Sequence, residues 1–418
     1  MRLPGPLLVA MLVAAAVPVA AQVPPHDPPV LQVRSGPSDA FNLPAGASFA
    51  GQTPHLNRRG AVALPVVTLP GTTAQGLWFG ADGSGALVHT APAGDLILGL
   101  TLDDSGLMVY EVSHSAHDGL YVYDTRTGTG GFETDQPAGS SGWGSPDLNQ
   151  VGEVAYRASV AGSYEWVVWD GATAAVRAAE VGLDPGSLYS LLYPPSFNDH
   201  GQVAGKARLG APGQVGDEQP DHILLFDATG TLTLVAEDRD SSPTSPYLGF
   251  DDTVSLNDAG WVAFVALRDD GNREVILSDG FTSTLVATEA LPEISGIEAS
   301  PVAAGAGGLV AFRGVDAAGL EAIAIGDGAD LVRLVGEHDL VATDLGTARL
   351  DRPDSGPVFD GAITVSPGGD LAFHATLTAP DNPQLDWGRG VFVVLRAGLL
   401  FDEGFEPGTT AAWSSATP

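Results

Sequence analysis

The chain has 418 residues, a formal net charge of −33 and a single lysine, Lys206. It therefore lacks the basic footprint of a nucleic-acid binder and is repelled by anionic membrane surfaces. Cysteine is absent, which excludes disulfides and lipid attachment at cysteine and leaves stability to an ordinary hydrophobic core, which a chain this long can supply.

The N-terminus runs Met1-Arg2, an apolar stretch over 7–17, then Val19-Ala20-Ala21. This reads as a signal peptide over 1–21, cut after Ala21. No later segment is apolar enough to span a bilayer as a helix. Residues 22–29 form a Pro-rich lead-in, expected to be disordered. Residues 30–36 resemble the fourth strand of the units that follow. They are predicted to pair beside 391–394 at the far end and close a ring, with 399–401 as the competing closure.

From Asn57 onward a short phrase recurs seven times. Its clearest copies are Leu148-Asn149-Gln150-Val151-Gly152-Glu153-Val154-Ala155-Tyr156, Phe197-Asn198-Asp199-His200-Gly201-Gln202-Val203-Ala204 and Leu256-Asn257-Asp258-Ala259-Gly260-Trp261-Val262-Ala263-Phe264. Its glycine falls at Gly60, Gly106, Gly152, Gly201, Gly260, Gly308 and Gly369, in steps of 46, 46, 49, 59, 48 and 61 residues. A period of this size, with several strands in each, indicates a propeller or similar array. In the third unit a strand ends at Asn149, and 149–152 is the turn, since Asn bonds its own backbone and Gly tolerates positive φ. Strands follow over 153–158, 164–169 and 175–179, with a hairpin at Asp170-Gly171. The 54 glycines and 31 prolines punctuate the whole chain in this way. The reading is all-β: a β-propeller of seven blades, each of about four antiparallel strands, over 30–400, with a C-terminal tail over 401–418. Ala155, Ala204, Ala263, Ala311 and Ala372 are small enough to let neighbouring blades approach closely.

The Asn-x-x-Gly-x-Val-Ala-Phe phrases resemble the NxxGxxAF repeat family of secreted bacterial proteins over roughly 31–400. Asp103, Gly305 and Ser366 stand where that pattern has Asn. The last copy, Ser366-Pro367-Gly368-Gly369-Asp370-Leu371-Ala372-Phe373, looks like the blade phrase of TolB-like propellers. The tail, with Gly404-Phe405-Glu406 and Trp413, resembles a DGFESG…W ending of secreted bacterial proteins, which implies a sorting or surface-association tag; the alternative reading is a last strand followed by a frayed end. These likenesses imply a repeat type and no particular activity.

Sites of chemistry are sparse. The repeated Asn and Gly are scaffold, because the turn itself needs both. His114, His117 and Asp118 form the most metal-like cluster but lack a further ligand marked by spacing. Residues 269–272 read as a turn rather than a calcium loop, and Asp103-Asp104 and Asp251-Asp252 as solvated turn edges. No Gly-x-Ser-x-Gly, phosphate loop or dinucleotide fingerprint is present. No catalytic residue, metal ligand or cofactor is assigned. If the phrase is the first hairpin of every blade, its turns share one face and variable loops the other. Those loops are placed at 139–143, 189–195, 209–221 and 241–252. Trp143, Tyr193 and Tyr247 are the candidate binding residues there. The expected function is that of an exported, monomeric, non-enzymatic propeller binding a macromolecule or glycan through this face. The alternatives are an extracellular carbohydrate lyase or hydrolase with channel-mouth carboxylates, and a structural cell-surface repeat protein.

Overall fold

The computed structural model describes residues 23–397 apart from 38, 50, 115–117 and 300. The signal-peptide reading, His117 and the C-terminal tail lie outside the described residues. Six sheets of four or five strands follow one another along the chain, at 55–90, 96–134, 140–179, 189–237, 247–288 and 294–336; we number them blades 1 to 6. Each is an antiparallel meander. In blade 3 Ser140–Leu148 pairs with Val154–Val160, which pairs with Ser163–Trp169 and then Ala174–Ala179. No helix among the described residues is long and apolar enough to cross a membrane.

The repeated phrase folds as one turn seven times. All seven glycines have positive φ, from 71° at Gly60 to 94° at Gly369, a conformation that a β-carbon disfavours. Asn149 Oδ1 accepts the N–H groups of Val151 and Glu153, at 3.2 and 2.8 Å. Asn57, Asn198 and Asn257 do the same in their turns. Asp103 takes this role in blade 2, accepting from Ser105 and Leu107, both at 2.8 Å. It is buried, not at a solvated edge, because its carboxylate replaces the Asn side chain. Gly305 offers no side chain, and its turn closes through a single 3-10 turn, Ala306–Gly308.

Blades meet through small residues. Ala63, Ala155, Ala204, Ala263, Ala311 and Ala372 have no exposed surface. Ala155 shares a core with Leu192 and Phe197 of the next blade, Ala204 with Phe250, and Ala263 with Ile294 and Phe312. A methyl at this position leaves room for the neighbour's large side chains, and close packing of the interior does the rest.

The seventh unit is not a four-stranded blade. It is a seven-stranded sheet in the order Ala40–Phe41, Val30–Ser35, Asn382–Val394, Leu371–Ala379, Gly346–Leu350 and Leu340–Thr343, with Phe359–Val365 also paired to Leu371–Ala379. The predicted closure is observed: Val30 lies opposite Val393 and Val33 opposite Val391. The extra strands explain the long last step of the repeat, since the hairpin 340–350 is inserted before the inner strand. The sheet curls until its ends meet. Arg34, fully buried, places Nε and Nη2 each 2.8 Å from the two carboxylate oxygens of Asp344 in the inserted hairpin, and Nη1 3.0 Å from Asp39 Oδ1 and from Trp387 O. Residues 23–29, expected to be disordered, are also tied in. Val23 is buried, Asp27 N donates to Leu395 O and Ala397 N to Pro25 O, both at 2.8 Å.

Candidate functional site in the central channel

The first strand of every blade lines one cavity of about 2150 Å³. At one end stand the repeat turns, and the residue after each Asn position forms a ring: Arg58, Asp104, Gln150, Asp199, Asp258, Ala306 and Pro367. Five of these turns are strung together. The N–H of Arg58 donates to Asp104 Oδ1 at 2.8 Å, that of Asp104 to Gln150 Oε1 at 3.0 Å, that of Gln150 to Asp199 Oδ1 at 2.9 Å, and that of Asp199 to Asp258 Oδ1 at 3.0 Å. Ala306 and Pro367 have no polar side chain, so the string ends there.

The Arg58 side chain spans this mouth. Its Nη2 lies 2.5 Å from Asp199 Oδ2 and 2.7 Å from Asp258 Oδ2, and its Nε lies 3.6 Å from Asp104 Oδ2. One guanidinium thus serves three carboxylates from three blades. Burial holds the Asp199 carboxyl above its usual range, and the neighbouring Asp258 charge adds to that. Positive charge at this mouth is supplied by the chain itself.

One step deeper, two residues before each turn Asn, the wall carries a second repeating contact. Thr101 Oγ1 accepts from Leu148 N at 3.3 Å, Ser196 Oγ from Leu256 N at 3.1 Å, and Ser255 Oγ from Ala304 N at 2.9 Å. Thr364 Oγ1 donates to Pro54 O at 2.8 Å across the ring closure. Each ties a blade to the next. In blade 3 the position is a carboxylate, Asp147, whose Oδ2 accepts from Phe197 N at 2.9 Å. Burial pushes its pKa up to about 6, against the pull of the Phe197 and Leu148 N–H groups and with the charges of Asp199 and Asp258 adding to the rise. In blade 1 the position is His55, whose imidazole burial pushes down to about 4. The wall therefore offers hydroxyls, one neutral imidazole and one carboxyl that titrates near neutrality.

Two of the sequence-derived binding residues, Trp143 and Tyr247, lie on strands rather than loops, because the inner strands run on through bulges where loops were expected, while Tyr193 lies between Tyr189–Leu192 and Ser196–Phe197. Register shifts fall between Gly144 and Asp147 and between Phe250 and Val254. Trp143 is buried on Ser140–Leu148, its indole N–H donating to Gln136 O at 3.1 Å. Tyr193 is half-buried beneath Lys206, whose Nζ lies 4.4 Å from the ring centroid. Tyr247 opens the inner strand Tyr247–Leu256 and packs on Phe250 at 5.6 Å. The structure does not bring these three together. Asp118 accepts from His114 N. Residues 269–272 form a turn in which Asn272 N donates to Asp270 Oδ1 and Asp269 pairs with Arg239. Asp251 is half-buried against Arg273 at 2.9 Å. Sequence reasoning missed the mouth ring and the Ser/Thr/Asp contact. The signal was the recurrence of Thr101, Asp147, Ser196, Ser255 and Thr364 at one offset from the turn.

No curated protein sequence matches the chain. Among solved structures it resembles the β-propeller domain of the trilobed protease from Pyrococcus furiosus, with TM-score 0.52 and 10% identity over 83% of this chain and 95% of that one. That domain has an open velcro topology. Two others are a puromycin hydrolase, with TM-score 0.51, 15% identity and coverage of 88% and 55%, and a puromycin-hydrolysing peptidase from Mycobacterium tuberculosis, with TM-score 0.50, 13% identity and coverage of 88% and 54%. The chain spans about half the length of these two enzymes. At such identities the likeness establishes the propeller fold and nothing further. Residues 37–281, more than half of the chain, match a family profile, and the chain belongs to DUF7453, a family of unknown function.

Proposed function

We propose that this protein is an exported, non-enzymatic binding module that takes a glycan chain into its central channel from the face opposite the repeat turns. The observation that carries the reading is the asymmetry of the channel. The turn-side mouth is spanned by Arg58 and strung through backbone N–H groups, while about 2150 Å³ of space lies within the inner strands. The wall suits hydroxyl-rich polymers. Thr101, Asp147, Ser196 and Ser255 line it beside Thr253 and Gln52, and a few convergent polar groups on a preformed cavity are what fixes a ligand's orientation. The acidic balance of 51 Asp and Glu against 18 Lys and Arg disfavours uronic-acid polymers and favours neutral or amino sugars. In this reading the curled seventh sheet serves as the seventh blade, and the partly exposed Tyr193 and Tyr247 lie toward the entrance on two neighbouring blades.

The test is calorimetric titration of residues 22–418 with neutral, amino-sugar and uronic-acid oligosaccharides, repeated on Thr253→Trp. Thr253 lines the channel at a bulge, so an indole there narrows it. Saturable binding of a neutral or amino-sugar oligosaccharide that Thr253→Trp abolishes is the expected result. Binding that survives Thr253→Trp, preference for uronic acids, or a flat panel overturns it.

A further inference from the structure

A carboxylate recurs just past the outer strand of blades 3 to 6: Glu180, Asp238, Glu289 and Glu337. Their backbone N–H groups make equivalent bonds, to Tyr164 O, Asp221 O, Arg273 O and Glu321 O. In blades 4 and 5 both oxygens of the carboxylate are occupied by backbone donors. Asp238 takes Asp221 N and Ser241 N, and Glu289 takes Arg273 N and Ile297 N. In blade 3 Glu180 Oε1 takes Leu192 N from the next blade's inner strand. Blade 6 differs. Glu337 Oε2 takes Glu321 N at 3.2 Å, but the inserted hairpin 340–350 displaces the inner strand that supplies a donor in blades 3 and 5. Glu337 Oε1 faces a side chain instead: His338 Nε2, at 3.7 Å.

The same imidazole nitrogen lies 3.7 Å from Asp351 Oδ2. The three ligand-type atoms all fall within 4.8 Å of one another. We propose that Glu337, His338 and Asp351 form a binding site for a divalent transition-metal ion of the zinc class. One imidazole and two carboxylates are a donor set that such ions accept, and three protein ligands leave a position for water. Bonds of about 2.1 Å in tetrahedral geometry place ligand atoms about 3.4 Å apart, so the His–carboxylate pairs need only small adjustments.

The surroundings hold these ligands in place. Each carboxylate spends its other oxygen on a backbone N–H, Glu321 N for Glu337 and Arg352 N, at 2.8 Å, for Asp351. Such outer contacts orient metal ligands. His338 has φ 75° and donates its N–H to Leu350 O at 2.7 Å, one residue before Asp351. The imidazole is exposed while Asp351 is buried, which gives an ion a way in. One group opposes it: Arg349 Nε lies 3.0 Å from Asp351 Oδ2, although no hydrogen bond is aimed from that nitrogen. Its charge weakens metal binding without blocking the site.

The experiment is calorimetric titration of the full mature chain with ZnCl₂ in about 0.15 M NaCl, which screens diffuse attraction to the acidic surface, with excess MgCl₂ to occupy hard-ion sites. One saturable site per chain is expected. His338→Asn, which tolerates the left-handed backbone, should weaken it at least tenfold, and Arg349→Met should tighten it. Without metal, both variants should melt in one cooperative transition, showing that the fold is kept, with His338→Asn at the parent's midpoint and Arg349→Met below it because Asp351 loses its guanidinium partner. Absence of a one-to-one event, or zinc affinity unchanged in His338→Asn, overturns the proposal, as does an Arg349→Met variant that binds more weakly than the parent.

Discussion

Replacing Asp147 with Asn separates the cost of a channel carboxylate from its structural use. Asp147 has a folded-state pKa of about 6 against a reference of 3.8. Each unit is worth about 1.4 kcal/mol, so the ionised form costs the folded state at most ~3 kcal/mol, a ceiling because the residue is only half-buried. The sign follows from proton binding. Between pH 4 and 6 the folded protein holds this proton and the unfolded chain has released it, so stability falls as pH rises through that window. Above about pH 6 the full cost is present; below about pH 4 it is absent. Asn cannot ionise, but its amide oxygen can still accept the Phe197 N–H that Asp147 Oδ2 accepts at 2.9 Å. Urea unfolding of parent and Asp147→Asn should therefore give the same midpoint near pH 4. At pH 7.5 the variant should be more stable, by up to ~3 kcal/mol. A gap that does not change with pH, or a variant less stable at pH 7.5, refutes the reasoning. A stabilised variant that also loses its glycan affinity would mark Asp147 as a residue whose stability cost serves the site.

Two further substitutions test the architecture. Arg34→Met leaves the Asp344 carboxylate without its bidentate partner at the seam of the curled sheet, and a loss of about 3–5 kcal/mol in urea unfolding is expected. Arg34→Lys should recover little of it, since an ammonium cannot reproduce the fork. Ala263→Leu pushes three extra carbons into the fully buried contact between blades 5 and 6. It should cost about 1–3 kcal/mol, read as a lower thermal midpoint, whereas the same change at exposed Ala318 should leave the midpoint where it is.

Much of the fold was legible because its most repeated element is also its most local. The turn needs an acceptor side chain at Asn149 and a positive φ at Gly152, three residues apart, so the sequence carries it whole. The strands after the turn are short apolar runs bounded by turn residues and were placed within a residue or two. The inner strands were harder to read. Pro194-Pro195 and the bulge before Val254 interrupt pairing, so those stretches read as loops although they line the channel. The seventh unit failed for a different reason. Its inserted hairpin leaves a trace only in repeat spacing, and the bond that seats it, Arg34 to Asp344, joins residues more than 300 positions apart.

The channel mouth shows why a site can be absent from every local pattern and still be built by the repeat. Arg58, Asp104, Gln150, Asp199 and Asp258 each occupy the position after the turn Asn, where the turn makes no demand on the side chain. Alone, each reads as an ordinary surface residue. The repeat converts that free position into a ring, since copies one blade apart must lie side by side around the axis. Neighbouring copies then exchange N–H and side-chain oxygen contacts of 2.8–3.0 Å. A long side chain such as Arg58 can reach beyond its neighbour to carboxylates 141 and 200 residues away. The informative comparison is therefore between the same position in successive copies, not along the chain within any one copy. The same reasoning isolates the hydroxyl series with Asp147 and His55 as its exceptions, and the outer-strand carboxylates with Glu337 as theirs. In each series most copies carry structure alone. Chemistry left over for a ligand should be sought in the copy that departs.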